Sequence, residues 1–152
     1  MENRLRPSSK EFLRRTMSAI EQYSDYLPRD EKSYSHTLFL NACVGLLMVP
    51  EAELYNTLPE QRLNDLGIGV AEDLFPANCR TLREIVRHLR NSISHSHFEF
   101  DCRQGVILDN ITFLDIYNGR ETFRATLSFT DFKKIVLYVV KFAIGDDNNS
   151  NW

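Results

Sequence analysis

The chain is poor in cysteine, and the three it has, Cys43, Cys79 and Cys102, are odd in number, far apart and without a C-x-x-C pair. That spacing argues against a disulfide framework or a zinc ribbon, both of which need paired thiols, and it fits a reducing, cytoplasmic setting. A long apolar run is missing as well. The most apolar stretch, Leu38 to Val49, is interrupted by Asn41 and falls short of the ~20 residues a membrane-spanning helix requires. It reads as a core helix, and no membrane partner is expected. Nothing at the N-terminus combines a basic region, an apolar run and a small-residue cleavage site, so no signal peptide is expected. No internal repeat is visible. Nor is there a surplus of positive charge, since the net charge of −3 offers no global attraction for nucleic acid.

What remains is a chain of 152 residues, long enough for one domain with a genuine core and too short for two ordinary ones. We expect a single domain over 1–145 and a flexible polar tail over 146–152. Hydrophobic residues at 43% and charged residues at 26% are ordinary for a soluble globular protein. The charges are unevenly spread. Arg4, Arg6, Lys10, Arg14 and Arg15 make the start basic, and Arg80, Arg83, Arg87 and Arg90 form a second basic segment. Two such segments could converge on one anion-binding surface, although solvated helix faces explain the charges equally well.

Ser8 or Ser9 can cap a first helix over 9–26, in which Phe12, Leu13, Met17, Ile20 and Tyr23 recur at helical intervals. Ser33 to Val49 is apolar almost all round, as in a central helix enclosed by others, and its Asn41 reads as a buried amide in need of partners. From Glu51 to Phe75 the pattern weakens, and one or two short helices and a loop are expected. Asn78 to Ser96 forms the best amphipathic helix in the chain. After His97 the period changes to alternation, through Phe98, Phe100 and Cys102, then Val106 and Leu108, then Ile111, Phe113 and Ile116, then Phe123, Ala125 and Leu127. Gly105, Asn110 and Asn118-Gly119 supply turns, the last a strong hairpin signal. Ser128 or Thr130 caps a final helix with an apolar face of Phe132, Ile135, Val136, Val139, Val140 and Phe142, stopped by Gly145. The expected class is mainly α (α+β): a helical bundle with a small antiparallel sheet between the amphipathic helix and the last one.

On the helix over 78–96, Leu82, Ile85, Val86, Leu89 and Ile93 fall on one side at about 100° per residue. Glu84, His88, Asn91 and His95 make a second stripe nearly opposite, flanked by Arg83, Arg87, Arg90 and Ser94. A plain solvated face has little use for His and Asn, which are indifferent helix formers. Arg90-Asn91-Ser92-Ile93-Ser94-His95, preceded by Glu84 and late in a helical chain, resembles the R-x(4–6)-H signature of the HEPN superfamily in its R-N-x-x-x-H form. The apolar second helix and the helix after the motif are similar to HEPN domains too. The short sheet resembles insertions in phage- and plasmid-associated members.

The resemblance implies a homodimeric endoribonuclease that cuts RNA without metal or other cofactor, at a composite site where two protomers pair their motif helices. It implies that Arg90 and His95 are catalytic, with Asn91 and Glu84 in support and Arg83, Arg87, His88 and His97 as RNA contacts. Glu84 would orient His88 or pair with Arg87 or Arg90. A role in defence, with an antitoxin or regulatory partner, is also within what the family does. Members paired with a nucleotidyltransferase often carry a tyrosine two residues after the motif histidine; here Ser96 and His97 follow, so control through such a tyrosine is not expected. Two other readings stay open. One is a HEPN module that binds RNA or nucleotides without cutting; the other is a helical interaction protein whose polar stripe is a dimer seam. A zinc site from His95, His97 and Cys102 matches no familiar ligand spacing.

Overall fold

The computed structural model describes residues 7–26, 35–48, 52–103 and 106–145; the expected tail over 146–152 lies outside them. Helix α1 spans Pro7–Tyr26, two residues earlier than the caps suggested, because Pro7 has the fixed φ that a first helical position needs. Its Leu13 and Met17, four residues apart, are buried, while Phe12 turns to solvent at 47% exposure. Helix α2 spans Ser35–Met48 and buries Cys43, Leu46 and Leu47 completely. The sequence reading of α2 as enclosed all round is corrected by Asn41. Its amide is exposed, so water satisfies it and no buried partner is required.

The weakly patterned segment that follows holds a single turn of helix, α3 (Ala52–Tyr55), and two 3₁₀ turns at Asn64–Leu66 and Glu72–Leu74. Helix α4 (Leu82–Ser94) carries the R-N-x-x-x-H motif. Three antiparallel strands come next, β1 (Phe98–Arg103), β2 (Val106–Tyr117) and β3 (Arg120–Ser128), in the spatial order β1-β2-β3. Helix α5 (Phe129–Ile144) closes the described chain. Its Ser128 hydroxyl accepts from the Asp131 N–H at 3.0 Å, and Gly145, at φ 82°, ends it. Among the described residues the result is four long helices plus a small sheet, a mixed α+β architecture. Among the described residues no helix is long and apolar enough to cross a membrane.

Asn118 and Gly119 sit at φ 50° and 74°, both left-handed, which is what a type I′ hairpin turn demands of its two central residues. The expected turn at Asn110 does not form. Instead β2 runs straight through it, with Asn110 paired to Ser128 of β3. The apolar alternation changes phase between Leu108 and Ile111, and the strand pair absorbs this as a register irregularity between Phe100 and Cys102.

Ile111, Phe113, Phe123, Ala125 and Leu127 project from the inner face of the sheet into a single core shared with α1, α2, α4 and α5. Phe113 meets Phe132 of α5 with ring centroids 5.0 Å apart. Phe142, expected on the apolar face of α5, is 37% exposed. Replacing Phe113 by Ala should cost about 3–5 kcal/mol of stability, read from chemical denaturation, because the sheet and α5 cannot collapse into the space it leaves. Burial pushes the Cys43 and Cys79 thiols up to about 12. In the native protein at pH 8 both should resist alkylation until unfolding, and mapped labelling of either in the folded state would contradict their burial.

Candidate active site

Two capping devices set the ends of α4. At its start Thr81, in extended conformation, accepts the Glu84 N–H on its hydroxyl at 3.4 Å, while its own backbone bridges to Arg62. The helix therefore begins at Leu82 and not at Asn78, because residues 76–81 use their backbone groups in a turn and an isolated bridge. At its end the Ser96 N–H reaches the Ile93 carbonyl at 3.1 Å and the His97 N–H reaches that of Ser92 at 2.7 Å. This is a Schellman cap with Ser96 at φ 56° in the left-handed position. The His97 carbonyl then accepts from the Leu114 N–H at 2.9 Å, which starts the pairing of β1 with β2. The turn between helix and sheet is thus only a few residues long. It holds the His95 and His97 rings with centroids 6.0 Å apart.

The helix between these caps has distinct sides. Leu82, Ile85, Val86, Leu89 and Ser92 face the core, and the Ser92 hydroxyl donates back to the His88 carbonyl at 2.8 Å. One flank meets the segment around α3. There Arg83 donates to the Leu58 carbonyl at 2.8 Å and pairs with Glu60 at 2.6 Å. Its guanidinium is engaged in fixing that loop. Arg90 lies on the same flank, with its guanidinium carbon 3.6 Å from the centroid of the Tyr55 ring. Cation–π attraction favours this stack. The Tyr55 hydroxyl donates to the Leu47 carbonyl, and burial pushes the phenol up to about 12 although Arg90 pulls the other way.

The opposite flank meets the sheet, and it contains a residue the sequence reading missed. Asp115 belongs to the inward parity of β2, with Ile111 and Phe113, and it is buried; Ile116, read as a core position, faces outward at 42% exposure. Parity along β2 carried this signal. Asp115 Oδ2 stands 2.7 Å from His88 Nδ1 and accepts from Asn91 Nδ2 at 3.1 Å. The His88 ring stacks on Phe123 of β3, with centroids 4.8 Å apart and planes within 5°. Next to Asp115 the β2–β3 register shifts, and the Thr122 hydroxyl donates to the Asp115 carbonyl at 3.1 Å. His88 is thus oriented by Asp115 and not by Glu84, which sits half-buried in the first turn of α4 beside Cys79.

The exposed side of α4 presents Arg87, Asn91, Ser94 and His95. His97 is half-buried, with its Nδ1 covered and without a hydrogen-bond partner among the described residues. The structure therefore brings Asn91 to His88, and His95 near His97, while Arg83 and Arg90 turn to the far flank. Arg90 and His95 stand about 140° apart around the helix. Imidazoles transfer protons near neutrality and guanidinium groups stabilise phosphate charge, so the pieces suit phosphodiester chemistry. Among the described residues no group of three His, Cys, Asp or Glu side chains forms a metal cluster.

Ser96 holds a left-handed conformation that a Cβ disfavours. Ser96→Gly should raise stability by roughly 0.5–1 kcal/mol in thermal unfolding, since glycine takes this φ without that strain. Loss of stability would show that the Ser96 side chain has a role beyond the cap.

The family model described as HEPN pEK499 p136 matches residues 1–150. No curated protein and no solved structure matches the chain. A mixed helical architecture, a motif helix bearing Arg90-Asn91 and His95, and a family match over nearly the whole length lead to one statement of kinship: the chain belongs to the HEPN pEK499 p136 family, a HEPN-type family of a plasmid-associated branch.

Proposed function

We propose that the protein is a metal-independent endoribonuclease acting as a homodimer through the exposed side of α4, with the β-sheet as an insertion into a HEPN-type bundle. The observation that carries this reading is the division of the motif across α4: Asn91 and His95 are exposed, while Arg90 leaves on the flank toward Tyr55. Within one chain Arg90 and His95 diverge. Two α4 helices packed about a two-fold axis would bring the arginine of one copy to the histidine of the other.

The chemistry requires such a meeting. The ribose 2′-hydroxyl loses its proton and attacks the adjacent phosphorus, the bond to the 5′-oxygen breaks, and that oxygen takes a proton as it leaves. His95 serves in proton transfer and Arg90 stabilises the charge on the pentacoordinate phosphorus. In this reading Arg87, exposed on α4, and His97, in the turn that follows it, contact the RNA backbone. Arg83, already tied to Leu58 and Glu60, supports the loop under that surface.

Purified protein incubated with RNA in EDTA should yield 2′,3′-cyclic phosphate and 5′-hydroxyl ends. His95→Ala should reduce cleavage by about 10²–10⁴-fold, the range a proton-transfer group contributes. Arg90→Ala should fall by ~10²–10³-fold, as when a transition-state charge partner is removed. Both variants should remain folded. Cleavage that persists in both would refute the site, and RNA binding without product under any condition would point to a binding module.

A further inference from the structure

The bond between His88 and Asp115 is more than the ribonuclease motif requires. Asp115 lies on a different element from the motif, is buried, and directs one oxygen at both His88 and Asn91. An ionised carboxylate can only accept hydrogen bonds, so this contact assigns the ring proton of His88 to Nδ1. The other nitrogen, Nε2, is bonded to nothing among the described residues. In the neutral imidazole that nitrogen is the lone-pair acceptor. The flat stack on Phe123 fixes the plane of the ring, and the His88 side chain keeps 13% of its surface exposed. A carboxylate that holds an imidazole in one tautomer, with the second nitrogen open, is the arrangement by which enzymes aim a general base.

The position of His88 on α4 adds a second argument. His88 and His95 are seven residues apart, which places them about 10 Å from each other along the helix and within about 20° around it. Both therefore border the same strip of surface, with Asn91 between them. In a phosphoryl displacement the attacking and leaving oxygens stand roughly in line through phosphorus. A base and an acid must then lie on either side of the phosphate, and two helical turns leave room for one phosphodiester between them.

Resting on the ribonuclease reading above, we propose that His88 is a second proton-transfer group of the site, with Asp115 and Phe123 as its positioning residues. His88 Nε2 takes the proton of the 2′-hydroxyl. The 2′-oxygen forms its bond to phosphorus, the bond from phosphorus to the 5′-oxygen breaks with its electron pair, and protonated His95 supplies the proton to that oxygen. The products are a 2′,3′-cyclic phosphate and a 5′-hydroxyl. No water is consumed, and exchange with solvent returns the two imidazoles to their starting states. The arginine that stabilises the phosphorus comes from a second copy, because Arg90 of the same helix points away.

The test combines kinetics at saturating RNA with ring-nitrogen NMR. In the unaltered protein the His88 spectrum should show the Nδ1–H tautomer. Asp115→Asn should mix the tautomers and lower kcat by about 10–100-fold, the usual effect of losing a group that orients a catalytic ligand. His88→Gln should lower kcat by ~10²–10⁴-fold with KM nearly unchanged. A His88→Gln protein that cleaves at the normal rate, or loses only KM, overturns the proposal. So does a wild-type His88 protonated at Nε2 alone. If His95→Ala is inactive in the same assays, such results remove His88 from the chemistry and leave the ribonuclease reading standing. An unaltered protein that never cuts RNA overturns both.

Discussion

Asp115 is where the sheet and the motif helix are joined. A carboxylate removed from water carries a large desolvation cost unless hydrogen bonds replace its hydration. Here the replacements come from α4, through His88 Nδ1 at 2.7 Å and Asn91 Nδ2 at 3.1 Å. These two residues lie about one turn apart on one flank, so the pair of bonds fixes both the rotation of α4 and its position along β2. The Schellman turn at Ser96 and the backbone bond from Leu114 to His97 hold the same junction from its other end. A shift of one residue would leave the carboxylate buried without partners.

With rotation fixed in this way, the other sides of the helix follow. Leu82, Ile85, Val86 and Leu89 fill the core. Arg83 and Arg90 have nowhere to go but the flank occupied by Leu58, Glu60 and Tyr55. Arg87, Asn91 and His95 remain on the surface. A motif that looks contiguous in sequence is thereby split in space, and that split is the physical reason to invoke a second copy. Asn91 has a foot in each part, as it is exposed yet bonded to the buried carboxylate.

Much of this was legible in the residues. The 3.6-residue period located α1, α4 and α5, an apolar run ended by Pro50 marked α2, and Asn118-Gly119 announced the hairpin, because only left-handed backbone fits a type I′ turn. The motif stood out through its His and Asn on a helix face. What escaped were features decided by contacts distant in sequence. Asn110 offered turn chemistry, but pairing with Ser128 of β3 keeps it in a strand. Asn41 lay in an apolar run that proves to have a wet side. Asp115 was hidden among strand residues, and Ile116 drew attention by hydrophobicity although its parity pointed outward. Tyr55 had no signal at all, since its part of the chain lacks a clear period. His88 was assigned to the outer stripe, yet that stripe is wider than the exposed surface, and its edge packs on Phe123.

The central claim is that a complete site takes its arginine and its histidine from different copies of the chain. Mixing Arg90→Ala and His95→Ala proteins, each inactive alone, under conditions that exchange protomers tests it directly. Mixed dimers contain one site with an intact arginine from one copy and an intact histidine from the other, so RNA cleavage should return on mixing. A mixture that forms mixed dimers and stays as inactive as its components would contradict the account.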